Sequence, residues 1–244
     1  MDHRPLKRPQ FFFTTAPLPC PYLPNKAERK IVTELSGTSA EKIHESLAKG
    51  GFRRSHSIAY APACPNCEAC VPVRVVVDKF VRRRTLSRTW NQNKDLDVIL
   101  MPAKATDEHY ELFSQYQRQR HPGSDMAMMG VHEYSAMVED SPIETFIIEY
   151  REKLGKLVAV CLTDKTTDGL SAVYSFFDAD CGRRSLGNYV VLWLIDYAKL
   201  LGLPYTYLGY WIANSPKMSY KTRFQPLEGL RSEGWSQVQS HLIA

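Results

Sequence analysis

Read for periodicity, the chain begins with short, weakly patterned segments and continues with longer, regular ones. Apolar and polar residues roughly alternate over Glu28–Ser36, which predicts a strand. Thr38 and Glu41 stand at capping-box spacing before a helix to Lys49, which Gly50-Gly51 ends. Phe52–Tyr60 reads as a strand, and Val71–Phe80, rich in β-branched residues, as another. A basic stretch, Val81–Arg88, and a short strand, Val98–Met101, follow. The rhythm then sharpens. Thr106–Arg120 is helical up to His121-Pro122-Gly123, and a second helix covers Val131–Glu139. Three strand-like runs, Thr145–Tyr150, Leu157–Thr163 and Ser171–Phe177, are joined by polar, hairpin-like turns. Leu186, Val190, Val191, Leu194, Ile195, Ala198 and Leu201 share one face of a helix, Gly202 caps it, and Tyr205–Tyr210 is the next strand. Antiparallel strands followed by strand–loop–helix–strand predict a mixed sheet with packed helices, an α/β (α+β) fold. The change of rhythm puts a domain boundary near residue 100, giving 1–100 and 101–244.

Composition narrows the class. With 244 residues, 44% hydrophobic and 23% charged, the chain is neither disordered, collagen-like nor a disulfide scaffold. Its longest apolar run, Tyr189–Ile195, is far short of the roughly 20 residues a bilayer requires, so no membrane partner is expected. The basic N-terminus carries only Phe11–Phe13 before polar Thr14 and Thr15, too little for a signal peptide, and a cytoplasmic location is expected. The net charge of +5 is uneven: residues 1–95 hold 17 Lys and Arg against 8 Asp and Glu, the remainder 14 against 18. That asymmetry points to an anionic partner for the first half, nucleic acid foremost. Arg82, Arg83, Arg84 and Arg88, with Trp90 close by, suit RNA phosphates and a stacked base. A solvated arginine loop explains that run equally well.

Cys64, Cys67 and Cys70 stand at C-x-x-C-x-x-C spacing, which lets thiolates converge on one soft cation. Cys20 supplies a fourth thiol, and the set suits zinc or an iron–sulfur cluster. Arg184-Ser-Leu-Gly187-Asn-Tyr189 lies where acetyltransferases of the GNAT fold hold the coenzyme A pyrophosphate at a helix N-terminus. Tyr189 occupies the place of a small residue there, which argues against coenzyme A. Ser215 and Pro216 open a predicted helix that sets Lys217 and Lys221 on one face and Tyr220 and Phe224 on another. Such lysines could meet an anionic substrate. Tyr207-Leu-Gly-Tyr210-Trp211 is aromatic-rich at a strand end, where α/β folds place ligands. The histidines are scattered, and neither a nucleophile motif nor a Walker A loop is present, so ATP chemistry is not indicated.

The stretch FRRSHSIAYAPACPNCEACVPVRV, Phe52–Val75, resembles the N-terminal domain of the aminoacyl-tRNA–protein transferases. Val173–Phe177 with Asp178, then RRSLGNYVVLWLIDYAKLLGLPYTYLGYWI and SPKMSYKTRFQP, resemble their C-terminal domain. The likeness spans nearly the whole chain and is greatest to the bacterial branch that transfers leucine to acidic N-termini. It implies a small cysteine-bearing domain followed by a GNAT-like transferase domain. It further implies transfer of leucine from leucyl-tRNA to an N-terminal Asp or Glu of an acceptor protein, which marks that protein for degradation. The donor ester is already activated, so no cofactor is required for transfer. Under this reading Asp178 orients or deprotonates the acceptor ammonium. Arg183, Arg184, Lys217, Lys221 and Arg223, with Tyr210 and Trp211, form the substrate site, and Arg82–Arg84 with Arg88 engage tRNA. Rival readings are an arginyl donor, a non-enzymatic metal-knuckle module that binds nucleic acid, and a coenzyme A acetyltransferase.

Overall fold

The computed structural model describes residues 9–213 and 215–238. The first part is built of β1 (Phe13–Thr14), β2 (Leu18–Pro19), β3 (Ala27–Glu28), β4 (Lys30–Glu34), α1 (Ala40–Lys49), β5 (Arg53–Ser55) and β6 (Ile58–Pro62). A four-stranded sheet runs β1-β4-β6-β5, and β2 pairs with β3. α1 covers this sheet through a small core of Leu35, Ala40 and Ala59, with Ile43, Leu47 and Phe52 against it. The run Phe52–Tyr60 is thus a hairpin rather than one strand. His56, at φ 52°, turns the chain so that Ser55 pairs with Ile58 and Arg53 with Tyr60.

The chain continues through β7 (Val71–Val76), α2 (Arg84–Asn93), β8 (Asp97–Pro102), α3 (Asp107–Arg120), α4 (Val131–Glu139), β9 (Thr145–Arg151), β10 (Leu157–Thr166) and β11 (Gly169–Phe177). α5 (Leu186–Leu200), β12 (Tyr205–Trp211), β13 (Leu227–Arg231) and β14 (Gly234–Gln237) complete it. An eight-stranded sheet is ordered β14-β13-β7-β12-β11-β10-β9-β8. Only β11 and β12 pair in parallel among the described residues, because α5 returns the chain across the sheet between them. The expected boundary near residue 100 does not divide this sheet. β7 lies inside it, between β12 and β13, and its Val71, Val73, Arg74 and Val75 are buried.

Both sheet faces are covered, which explains the unbroken apolar run of β10. Ala159 and Cys161 pack with Tyr189, Val190 and Leu194 of α5. Val160 and Leu162 pack with Phe113 of α3 and Tyr134 and Val138 of α4 on the other face. Period-two alternation assigns these neighbours to opposite faces. The basic stretch Val81–Arg88 turns out to lead into a helix, α2. Leu86, Thr89 and Asn93 are buried at helical spacing, and Arg83, Arg84 and Arg88 are exposed.

Candidate active site

β11 and β12 pair only from Gly169 with Tyr205 to Ser171 with Tyr207. Beyond that point β11 stays with β10 as far as Phe177, and β12 stays with β7 as far as Trp211, so the sheet opens as a V. A shift of register between Tyr207 and Gly209, with Gly209 at φ 72°, accompanies the parting. At the open end lies a groove of about 780 Å³, within the usual size of a ligand site. Ser175 and Phe177 of β11 form its floor, the end of α3 from Tyr116 to His121 one wall, and the start of α5 another. Pro216, Lys217 and Tyr220 close the remaining side.

Among the described residues no Asp or Glu lines this groove, whereas Arg120, His121 and Lys217 do. Burial lowers the pKa of His121, and the charges of Lys217 and Arg120 lower it further, so its imidazole is neutral at pH 7. α5 starts abruptly at Ser185, in the left-handed conformation and without a side-chain cap. Leu186, Gly187 and Asn188 line the groove, which therefore faces the positive end of the helix. A Cβ at position 187 would stand 3.0 Å from the Phe177 ring, so glycine lets the helix start approach the floor. Tyr189 does not intrude. It turns into the core beside Trp90 and Tyr150, so its bulk is no obstacle in the groove.

The candidate residues read from the sequence are scattered by the fold. Lys217 and Lys221 do not share a face, because Pro216–Arg223 is a 3₁₀ helix rather than an α-helix. At three residues per turn, positions four apart point in different directions. Lys217 is exposed in the groove; Lys221 is buried, and its Nζ donates to the Tyr210 carbonyl. Trp211 also leaves the site, packed in the core with Val71, Leu192 and Leu208. Tyr210 is buried, and its hydroxyl donates to the carbonyls of Gly51 and Tyr60. Arg184 is occupied by Asp95, with two 2.9 Å bonds that pin the groove wall to the end of α2. Arg183 and Arg223 are exposed and lie outside the groove lining.

Asp178 is 7% exposed, accepts from Lys156 Nζ at 2.7 Å and from the Asp180 N–H at 3.0 Å, and begins the turn Ala179–Arg184. Burial works to raise its pKa, but these hydrogen bonds prevail and hold it below the usual value. A carboxylate so placed is a turn-former and a poor proton acceptor. Arg82 is likewise committed: it pairs with Asp196 and stacks 3.9 Å from the Trp90 ring. Sequence reasoning passed over Tyr116, Arg120, His121 and Ser175. His121 looked like part of a helix stop, and no spacing rule joins the end of one helix to the end of a strand.

Cys20, Cys64, Cys67 and Cys70 all line one cavity of about 120 Å³. Burial and the other three thiols push the Cys70 thiol up to about 11. Four soft donors are the right chemistry for zinc or a cluster. As placed, no three His, Cys, Asp or Glu groups among the described residues stand close enough together to form a ligand set. Met218 faces this cavity and Lys217 the groove, so the 216–223 segment is the partition between them.

A mixed sheet that parts at its parallel pair, with a groove at the parting and a helix start turned toward it, is the mixed α/β, GNAT-like fold expected from the sequence. The chain belongs to the arginine-tRNA-protein transferase family: residues 18–88 match its N-terminal part and residues 108–231 its C-terminal part. An aspartate/glutamate leucyltransferase of Paramagnetospirillum magneticum is 60% identical over 235 residues, 96% of each chain. One from Rhodospirillum rubrum is 55% identical over 236 residues, again 96% of each. The structure of L-PGS from Bacillus licheniformis is similar in fold alone, with a TM-score of 0.53 at 12% identity over 66% of this chain and 58% of that one.

Proposed function

We propose that this protein transfers leucine from leucyl-tRNA to the N-terminal Asp or Glu of acceptor proteins, giving them an N-terminal leucine that marks them for degradation. The observation that carries this reading is a groove lined by Arg120 and Lys217 and, among the described residues, by no acid, at the strand parting of a chain 60% identical to a leucyltransferase. The donor ester already holds the energy of the new amide bond, so positioning and charge stabilisation are the main tasks and no cofactor is required. The 3′ end of the tRNA lies in the groove with its charge toward the start of α5. The acceptor amine, with a pKa of about 7.7–8.0, attacks the ester carbonyl as the neutral base. His121 receives the proton that the amine gives up and passes it to the ester oxygen as the C–O bond breaks, so that the tRNA leaves with its ribose hydroxyl restored. Lys217 receives the acceptor carboxylate. Reaction in the cytoplasm follows from these substrates, and no helix among the described residues is long and apolar enough to cross a membrane.

Leucyl-tRNA and arginyl-tRNA, each radiolabelled in the amino acid, are offered with peptides that start with Asp, Glu or Ala. Label is expected from leucyl-tRNA in the Asp and Glu peptides only. Equal labelling of the Ala peptide overturns acidic recognition, and label from arginyl-tRNA alone transfers the reading to an arginyl donor.

For tRNA, the proposal rests on Arg83, Arg84 and Arg88, which are exposed, and not on Arg82. The last turn of α2 is tied to the groove wall, where Asn93 Nδ2 donates to the Arg184 carbonyl at 2.7 Å. Arg83 and Arg84 at the other end are about 15 Å away at helical rise and Arg88 about half as far, a spread suited to successive backbone phosphates. Their joint replacement by Ala is expected to flatten the log–log salt dependence of tRNA binding by roughly 2. Arg82→Ala should leave the slope as it is; an unchanged slope in the triple variant returns all three to plain solvated surface.

A further inference from the structure

Where two strands part inside a sheet, the carbonyls that face the gap lose their ladder partners, and buried backbone acceptors need new ones. The gap between β11 and β12 is filled by a side chain from the cysteine-bearing part of the protein. Arg53, the first residue of β5, reaches across and donates from Nη2 to the carbonyls of Ala172 at 3.0 Å and Val173 at 2.7 Å. These are the first two residues of β11 beyond its last pair with β12. On the other side its guanidinium lies against Gly209 of β12, where a Cβ would come within 1.9 Å of Nη1. Glycine leaves room there, and the φ of 72° at Gly209 lies in the left-handed region that favours it as well. A single planar group thus touches both strands of the parting.

We propose that Arg53 is a positioning residue for aminoacyl transfer: its guanidinium is the wedge that holds β11 and β12 apart and thereby sets the width of the groove at their open end. The proposal rests on the groove being the transfer site. Beyond the wedge, β11 carries Ser175 and Phe177, the groove floor, two and four residues from the Val173 carbonyl that Arg53 holds. A change at the wedge is therefore passed on by a short, stiff stretch of strand. The fork geometry matters, because the rigid guanidinium directs Nη2 at two carbonyls while setting Nη1 against Gly209, which an ammonium on a flexible stem does not. Arg53 also lines the cysteine cavity, so the first part of the chain is a component of the transfer site and not an appended module.

The experiment measures kcat/KM for leucyl-tRNA and for alanyl-tRNA with one Asp-starting peptide, in the wild type and in Arg53→Lys, Arg53→Met and Gly209→Ala. Wild-type transfer of leucine tests the proposed function itself, so failure of that reading is distinct from failure of the wedge. A narrowed gap penalises the larger aminoacyl group. In Arg53→Met, and in Gly209→Ala where the added Cβ displaces the guanidinium from the gap, the leucyl-to-alanyl ratio is expected to fall about 10-fold or more, with leucyl transfer down about 100-fold, the cost a displacement near 1 Å can carry. Arg53→Lys should lie between these and the wild type. The ratio does not depend on how much of a variant is folded, so a purely structural role leaves it constant. The double variant Arg53→Met/Gly209→Ala should be no worse than the worse single, since both remove one contact. If Arg53→Met does not fold, Arg53→Lys and Gly209→Ala decide. An unchanged ratio in the variants that fold, or full additivity in the double variant, overturns the proposal.

Discussion

Replacing Lys217 with Met is expected to abolish the preference for an acidic acceptor while leaving the enzyme folded and active. Lys217 is one of three groove residues that carry or can carry positive charge, and it stands on the partition beside Tyr220, away from the start of α5. A charged hydrogen bond to a carboxylate is worth about 1.5–3 kcal/mol, which corresponds to roughly 10- to 150-fold in kcat/KM. An exposed lysine gives little in water, but a bound peptide excludes the water between the two charges and restores the interaction. With paired peptides that start with Asp and Asn, the Asp rate should fall by at least about 10-fold and the Asn rate by about 2-fold or less. Equal losses on both peptides would remove Lys217 from acceptor recognition. Arg120, which also lines the groove, would be the next residue to test.

The strongly periodic elements were legible in the sequence because their burial is local. α5 takes its face from Leu186, Val190, Leu194 and Ala198, and Thr106 caps α3 by accepting from the His109 N–H. α2 was obscured by its arginines. Leu86 and Trp90 are four apart and would have marked an inward face, but six residues of Val81–Arg88 are polar, and polar runs read as loops. The candidate site was legible only in its outline. The strand–loop–helix start at Ser185–Asn188 and the segment from Ser215 were found as motifs. Their partners His121 and Arg53 come from a helix end and a short strand 68 positions apart in the numbering, and only the sheet brings them to the same parting. The error at Lys217 and Lys221 is of another kind. Ser-Pro at the start predicts a helix correctly, but not whether it winds with three or 3.6 residues per turn.

Lys221, the other lysine of that segment, should reveal itself through stability. It is 4% exposed, its Nζ donates to the Tyr210 carbonyl, and no acidic side chain forms an ion pair with it among the described residues. Burial, reinforced by the nearby Arg53 charge, lowers its pKa to about 7. In the unfolded chain it titrates near its ordinary value of about 10.4. Between those two values the unfolded state binds more protons than the folded one, so stability must rise with pH across that window. The slope cannot exceed somewhat over about 1 kcal/mol per pH unit, and it vanishes below about pH 7, where both states hold the proton. A methionine of similar length has no such dependence. At pH 6, Lys221→Met escapes the cost of a buried unpaired charge, a gain of about 1–4 kcal/mol, and loses about 1–3 kcal/mol by leaving the Tyr210 carbonyl unpaired. The variant is therefore expected to match or exceed the wild type at pH 6 and to fall below it by pH 9, in denaturant unfolding at both pH values. Two curves separated by a constant offset from pH 6 to pH 9 would mean that Lys221 keeps its proton throughout, despite its burial. The Asp-to-Asn preference should be the same in Lys221→Met as in the wild type, because the ammonium lies beneath the partition and faces β12 rather than the groove.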